Sequence, residues 1–421
     1  MRTTGIIAEY NPFHSGHQYH IEETRRKTGA DFLITAISGD FVQRGAPAIL
    51  DKYERTRMAL EGGADLVLEL PVTAAVSSAE GFASGGVCLF EKLGVTDAIS
   101  FGCEDVCSDS LFTRTARILA EEPGEYKQKL ASCLKQGMSF PKARETALLS
   151  CMEPENGQES EQVSRLISSP NNILGLEYQK AILKYGSRIE VCRICRRGSG
   201  YNSAELSSSL SSATAIRNHL LNREIPPRKQ AADLNGQVPS RILPNLLAAG
   251  RENRFLREND FSDLLFYVIQ EKKDMLDCFG SPNSGLAWRT ANHLENFESW
   301  EQFILLVKSK NQTYTGISRY FTQILLNIRR EDLLLAQRYQ YSPYARILGF
   351  RRSAAPLLKE IRAKSRIPVL MQLAGDSAGL DADCRRLLQL DVSAAALYNR
   401  ILFSKSGCRL KSDYRHPLIL L

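Results

Sequence analysis

The stretch Gly5-Ile6-Ile7-Ala8-Glu9-Tyr10-Asn11-Pro12-Phe13-His14-Ser15-Gly16-His17 decides how the chain is read. An apolar run from Gly5 to Ala8 ends in a Pro-containing turn, and two histidines three apart open a polar, helix-like segment. In physical terms this is a buried strand, a tight loop and a helix N-terminus carrying imidazoles. A helix start presents free backbone N–H groups and the positive end of its dipole, so it draws phosphate. Imidazoles beside it add donors for the same anion. The stretch predicts a nucleotide site at the end of a first strand.

The following residues repeat the alternation. A helix is expected from His17 to Lys27, stopped by Gly29, then a strand from Phe32 to Ser38 and a loop from Gly39 to Pro47. A helix from about Asp51 to Glu61 precedes a strand from Asp65 to Leu70, and a helix from Ser78 to Leu93 precedes a strand near Asp97 to Phe101. Near-continuous apolar strands separated by helices predict an α/β fold with a Rossmann-like parallel sheet covered on both faces. Cys107 to Ser150 reads as helical, and the acidic segment from Glu153 to Glu161 as an exposed loop. Ser169-Pro170-Asn171-Asn172 opens a helix, and a strand from Ile189 to Ile194 leads into the basic loop Arg196-Arg197-Gly198-Ser199-Gly200-Tyr201. Ser211 to Arg217 starts another helix with hydroxyls at its capping positions. After Pro226 the periodicity is helical. The expected organisation is an α/β nucleotide-binding domain over residues 1–225, followed by a mostly α-helical domain over 226–421.

Composition narrows the function classes. With 43% hydrophobic and 24% charged residues the chain is of ordinary globular type. No apolar run approaches the ~20 residues that cross a bilayer, and the N-terminus lacks a leader pattern, so a cytoplasmic protein without membrane contact is expected. The ten cysteines form no regular framework, and only Cys192 and Cys195 have the two-residue gap of a metal hairpin, so reduced thiols and no metal site are expected. The net charge of +7 lies entirely in the last fifth of the chain, where Glu331 to Leu421 holds 15 Lys/Arg against 8 Asp/Glu. That asymmetry predicts a C-terminal part in contact with a polyanion.

In an open parallel sheet, ligands bind outside the carboxyl ends of the strands. The loops after these strands, carrying His14 to His17, Gly39 to Pro47, Gly102 and Arg196 to Tyr201, should therefore converge on one edge. His14-x-Gly16-His17 resembles the signature of the nucleotidyltransferase superfamily, and SSATAIR (Ser211 to Arg217) resembles its second phosphate-binding motif. Together with SGDFVQRG, DLVLELP, SPNNILGLEY and the Arg-rich Gly loop, the chain is similar to the tRNA(Met) cytidine acetate ligases, most closely over residues 1–220. In the C-terminal part the fit is looser, and Arg362 to Pro368 is its most recognisable piece.

The resemblance implies an enzyme that activates acetate with ATP, together with Mg²⁺, and acetylates the wobble cytidine of elongator tRNA(Met). His14 and His17 would be catalytic. The ATP contacts would come from Ile7, Ala8, Glu9, Tyr10, Asn11, Pro12, Phe13, His14, Ser15, Gly16 and His17. Further ATP contacts would come from Gly102, one of Asn171 and Asn172, Arg196, Arg197, Ser212, Thr214 and Arg217. Gln43 and Arg44 lie in a loop that closes over the activated acyl group or the target base. Asp40 stands where the family has Asn, as a helper to Mg²⁺ or an acceptor of backbone hydrogen bonds. Asn202-Ser203 departs from the family's His followed by an acidic or amide residue. The basic cluster nominated for tRNA is Arg351, Arg352, Arg362, Lys364 and Arg366. A small-molecule adenylyltransferase and a non-catalytic RNA-binding module are the competing readings.

Overall fold

A computed structural model describes residues 1–104, 107–152, 157–196, 206, 210–280, 285–310 and 312–421. Its strands in chain order are β1 (Thr3–Ala8), β2 (Phe32–Ser38), β3 (Phe41–Val42), β4 (Ala46–Pro47) and β5 (Leu66–Leu70). They continue as β6 (Ala98–Cys103), β7 (Glu190–Cys195), β8 (Ala345–Phe350), β9 (Val369–Leu370) and β10 (Ile419–Leu420). The main sheet runs β10-β8-β5-β2-β1-β6-β7, with β9 on β8, and β3 and β4 form a separate hairpin.

β1 is the pivot. It pairs in parallel with β2 on one side, Thr3 opposite Phe32, and with β6 on the other, Thr4 opposite Ala98. Strand order reverses at β1, and such a switch point leaves a crevice at the carboxyl ends of the flanking strands. The helices end where local chemistry stops them: Gly29 takes φ 64° to close the Ser15–Thr28 helix, and Asp51 caps Lys52–Glu61 by accepting from the Tyr53 and Glu54 amides. The Ala79–Leu93 helix lies unusually close to the sheet, because Cβ atoms at Gly5 and Gly86 would meet Phe90 at 2.6 Å and Ile7 at 2.3 Å.

Three features depart from the sequence reading. Gly157–Ser168 is a helix, because Val163 and Leu166 anchor one face in the core although the segment opens with acidic and polar residues. The sheet is mixed, since β8 runs antiparallel to β5. The C-terminal part is mostly helical as expected, yet β8, β9 and β10 come from it, so the sheet crosses the expected boundary at residue 226. Ala345–Phe350 (ARILGF) is a short apolar run whose periodicity does not separate strand from helix.

A buried ion cluster fastens the late strands to the early ones. Lys52 Nζ lies 2.8 Å from Glu69 and 2.6 Å from Asp413, and Arg346 Nη1 lies 2.6 Å from Glu69 and 2.7 Å from Asp413. Burial and Arg346 act against the Lys52 charge, but Asp413 and Glu69 hold its pKa above the ordinary lysine value. A second core, with Phe261, Trp300, Phe303, Phe321 and Tyr398, also takes in Phe41 and Val72 from the N-terminal part.

Candidate active site

The carboxyl ends of β1 and β6 open into a cleft of about 1270 Å³, its mouth included. His14 is the N-cap of the Ser15–Thr28 helix, with its Nδ1 accepting from the Gly16 amide at 3.1 Å. His17, one turn on, turns its own Nδ1 back to accept from the His14 amide at 3.3 Å. Each ring therefore uses Nδ1 as an acceptor, which sets the tautomer with the proton on Nε2 and makes each imidazole a donor. The rings lie 3.8 Å apart, centroid to centroid. Burial, then Arg196 and Arg217, pushes the His14 pKa down to about 3, and burial, His14, Arg196 and His20 hold His17 well below its ordinary value. Both are neutral hydrogen-bond donors at pH 7.

Gly16 clears space for His14 itself. A Cβ at position 16 would lie 2.9 Å from His14 Cε1 and 3.0 Å from Nδ1. On the far side, Gly102 lets the stem of Arg196 lie across β6, with a Cβ there 3.2 Å from Arg196 Cγ.

Of the residues expected at the nucleotide, the cleft is lined by Ile7, Ala8, Glu9, Tyr10, Asn11, His14, Gly16, His17, Gly102, Asn171, Arg196, Thr214 and Arg217. Gln43 and Arg44 line it too. Ser212 caps the Ala213–Leu221 helix by accepting from the Ala215 amide, which leaves Thr214 on the wall. Arg217 donates to the Asn11 carbonyl at 2.6 Å, joining the second motif to the first.

Other expected residues do not reach the cleft wall. Phe13 is fully buried, packed on Tyr10 and His17 and seated over Gly62, where a Cβ would come 2.2 Å from its ring. Pro12 is buried with it, and Ser15 gives its amide to the Gln237 carbonyl. The two asparagines are placed differently. Asn172 is buried and accepts from the Glu104 amide, whereas Asn171 lines the cleft and donates to Glu104 Oε1 at 2.7 Å. Asp40 is also buried and accepts from the Lys52 amide at 2.8 Å, so of its two expected roles it fills that of backbone acceptor. Burial lifts its carboxyl to about 7 despite Lys52 nearby. Arg197, Asn202 and Ser203 lie outside the described residues.

The Gln43–Arg44 hairpin is docked. Ser318 and Thr322 hydroxyls donate to the Gly45 carbonyl at 2.6 and 2.8 Å, Arg319 donates to the Gln43 carbonyl, and the Gln43 amide donates to Glu9 at 2.9 Å. Arg55, fully buried, gathers the carbonyls of Glu9, Ser38, Gly39 and Leu50 and so fixes the ends of β1 and β2 against each other.

The five C-terminal cations stand elsewhere. Arg351 donates to Leu60 O and its amide to Asp65 O, beside the start of β5. Arg352 follows it, and its amide donates to Leu421 O. Arg366 pairs with Glu91 at 2.8 Å, near the end of the helix that feeds β6, while Lys364 pairs with Glu360 and Arg362 with the Met371 sulfur. None lines the cleft, which opens at the other ends of these strands.

Sequence reasoning missed an apolar wall of Phe82, Phe101, Leu174, Tyr178 and Ile194, which read as ordinary core. It missed His20, whose Nε2 lies 3.0 Å from the Ser100 hydroxyl and whose pKa burial and Arg196 push down to about 4. The spacing carried that signal, since His14, His17 and His20 recur every three residues on one helix face. It also missed Gln237, whose carbonyl accepts from Ser15 and whose side chain accepts from the Ser211 amide at 2.8 Å. One residue thereby joins the starts of both motif helices.

The donor set can hold a triphosphate but does not fit a protein-bound Mg²⁺. Such a site takes carboxylate oxygens, and Glu9 is the one carboxylate on the described wall, with an oxygen already engaged by the Gln43 amide.

A family model described as HIGH Nucleotidyl Transferase matches residues 1–413. A tRNA(Met) cytidine acetate ligase of Clostridium kluyveri is 38% identical over the whole chain and 99% of its own length. One of Acetivibrio thermocellus is 36% identical, with 94% of each chain covered. Two crystal structures of Thermotoga maritima TmcAL cover both chains fully at 32% identity: the apo form with a TM-score of 0.91, and a form bound with alpha-thio ATP with 0.88.

Proposed function

This chain belongs to the tRNA(Met) cytidine acetate ligase family of nucleotidyl transferases, and we propose from that membership how its cleft carries out the reaction. It is an ATP-dependent ligase that acetylates a cytidine of tRNA(Met). The proposal adds the acceptor, the wobble cytidine of elongator tRNA(Met), a cytoplasmic setting, and the parts played by individual residues.

An acetate oxygen attacks the α-phosphorus of ATP, the new O–P bond forms, and pyrophosphate leaves with the electrons of the α–β bridge. The protein has little covalent work here. It must align the reactants and place donors where charge gathers on the phosphate oxygens. The Nε2–H groups of His14 and His17 are those donors, already oriented by the Nδ1 bonds to backbone amides. Arg196, Arg217 and Thr214 serve the leaving pyrophosphate from the facing wall, and Asn171 helps hold the nucleotide. The apolar wall takes the parts of ATP that carry no charge. Mg²⁺ would enter with the nucleotide rather than on the described wall of the cleft.

In the second step the cytidine amine attacks the acetyl carbon, AMP leaves, and the amine loses one proton. Gln43 and Arg44, on their docked hairpin, border the place where the base must enter. The five C-terminal cations would meet a part of the tRNA about 20 Å from that base, the length of a six-residue strand.

The observation that carries the proposal is the paired orientation of two neutral imidazoles at one helix N-terminus. ATP–pyrophosphate exchange with and without acetate, followed by labelled acetate transfer to unfractionated tRNA, tests it. Exchange that ignores acetate would favour a different adenylyltransferase, and exchange without transfer would remove the RNA step.

A further inference from the structure

Beside the nucleotide cleft lies a second pocket, walled by Cys103, Cys107, Cys192, Cys195, Arg193 and Lys27 among others. Four of the ten cysteines gather here. Cys103 and Cys195 are the last residues of β6 and β7 and face each other in the parallel register. Side chains paired in this way leave the sheet on the same face. Neighbouring strands lie ~4.8 Å apart, and a disulfide accepts Cα atoms ~4.4–6.8 Å apart. Cys103 already points across the gap, its thiol donating to the Ile194 carbonyl at 3.5 Å. Cys195 is exposed while Cys103 is buried, so the pair has one thiol open to a solute and one shielded beside it. Cys192 leaves the other face, two positions from the Ile194 side chain and toward Ser100.

We propose that Cys103 and Cys195 form an oxidisable dithiol whose closure weakens ATP binding in the adjoining cleft. A hydroperoxide supplies the oxidant. Its terminal oxygen passes to the Cys195 sulfur, giving a sulfenic acid and releasing the corresponding alcohol, or water from hydrogen peroxide. The Cys103 thiol then attacks that sulfur, the S–S bond forms, and water leaves with the hydroxyl and the Cys103 proton. Arg193 donates to Cys107 Sγ at 3.2 Å, and burial holds the Cys103 thiol above its ordinary pKa although the charges of Arg193 and Lys27 act the other way.

The link to the cleft is the backbone. Gly102 precedes Cys103 and Arg196 follows Cys195, both line the cleft, and the Arg196 stem rests on Gly102. The Arg196 amide donates to the Cys103 carbonyl at 3.0 Å as the last bond of this ladder. β7 is the last strand of the main sheet among the described residues, so drawing Cys195 toward its partner on β6 carries Arg196 along with the strand end.

The inference rests on the proposed ATP site, and its test reads the two separately. The full-length protein is treated with hydrogen peroxide, digested without reduction, and searched by mass for a peptide joining Cys103 to Cys195. Calorimetry then measures ATP affinity before and after oxidation and after dithiothreitol. The expected result is that peptide, an ATP affinity at least tenfold weaker, and recovery on reduction. Cys103→Ser should keep the affinity of the reduced protein and lose the response to peroxide. Absence of the joined peptide, a link from Cys195 to Cys107 in its place, or unchanged affinity in the oxidised protein would overturn the inference. Failure of the reduced protein to bind ATP would instead remove the site reading beneath it.

Discussion

Gly16→Ala tests the geometry of the histidine pair most directly. The added Cβ would lie 2.9 Å from His14 Cε1 and 3.0 Å from Nδ1, whereas carbon atoms in favourable contact stand ~3.5–4.0 Å apart. The ring must retreat by about 0.5–1 Å. That retreat breaks the Gly16 N–H bond to Nδ1, now 3.1 Å, which both caps the helix and fixes the tautomer. Losing a cap costs about 1 kcal/mol of stability, so the variant should stay folded. The catalytic effect is larger, since a 1 Å misplacement of a reacting group costs ~100-fold, or about 2.7 kcal/mol of barrier. Acetate-dependent ATP–pyrophosphate exchange should therefore fall by about 100-fold while a urea titration shows a loss near 1 kcal/mol. A double-mutant cycle identifies the cause. In a His14→Ala background the ring that the Cβ strikes is gone, so Gly16→Ala should lower acetate-dependent exchange little further. An equal loss in both backgrounds would mean that Gly16 serves the phosphate's approach rather than the ring, and would refute the reasoning.

Three other outcomes follow from the same structure. His14→Ala and His17→Ala should each lower exchange by about 100- to 1000-fold, the usual effect of removing one preorganised donor; rates within threefold of the native enzyme would remove their assigned role. His20 is held at about 4 in the folded protein, below its unfolded value of 6.5, so its stabilising share is full above pH 6.5 and is lost as pH falls toward 4. Between pH 7 and 5 that amounts to about 2 kcal/mol, and urea titrations of His20→Gln at the two pH values should show a correspondingly smaller drop. Asp413→Asn leaves Lys52 and Arg346 with Glu69 as their close carboxylate partner, and breaking such a buried cluster costs about 3–5 kcal/mol, read as a fall in the urea midpoint.

What the sequence disclosed and withheld follows from distance along the chain. The β1 stretch was legible because strand, turn and helix cap are each local: His14 caps its own helix and His17 bonds back to His14. The parallel strands through β7 and the lining by Gly102 and Arg196 followed from loops placed after strands, whereas Asn171, Thr214 and Arg217 came from the family resemblance. Phe13, Pro12 and Ser15 lie within the same signature yet stay off the cleft wall, because a contiguous motif in a turn points its side chains in several directions. Asp40 could be placed only once Lys52 and Asp413 were seen around it.

The strands β8 and β10 remained hidden for a related reason, and they bear on why the chain is so long. Asp413 lies 361 residues from Lys52, and no local pattern marks the two as partners. Their contact nevertheless holds the start of the Lys52–Glu61 helix, where Lys52 gives its amide to Asp40 and Arg55 gathers the carbonyls that end β1 and β2. The late residues thus brace the loops on which the histidine pair depends. Gln237 does the same from the middle of the chain, bonding the first turn of one motif helix and the approach to the other. An acetate-activating site assembled this way cannot be separated at residue 226, because positioning of its donors is supplied from both sides of that point.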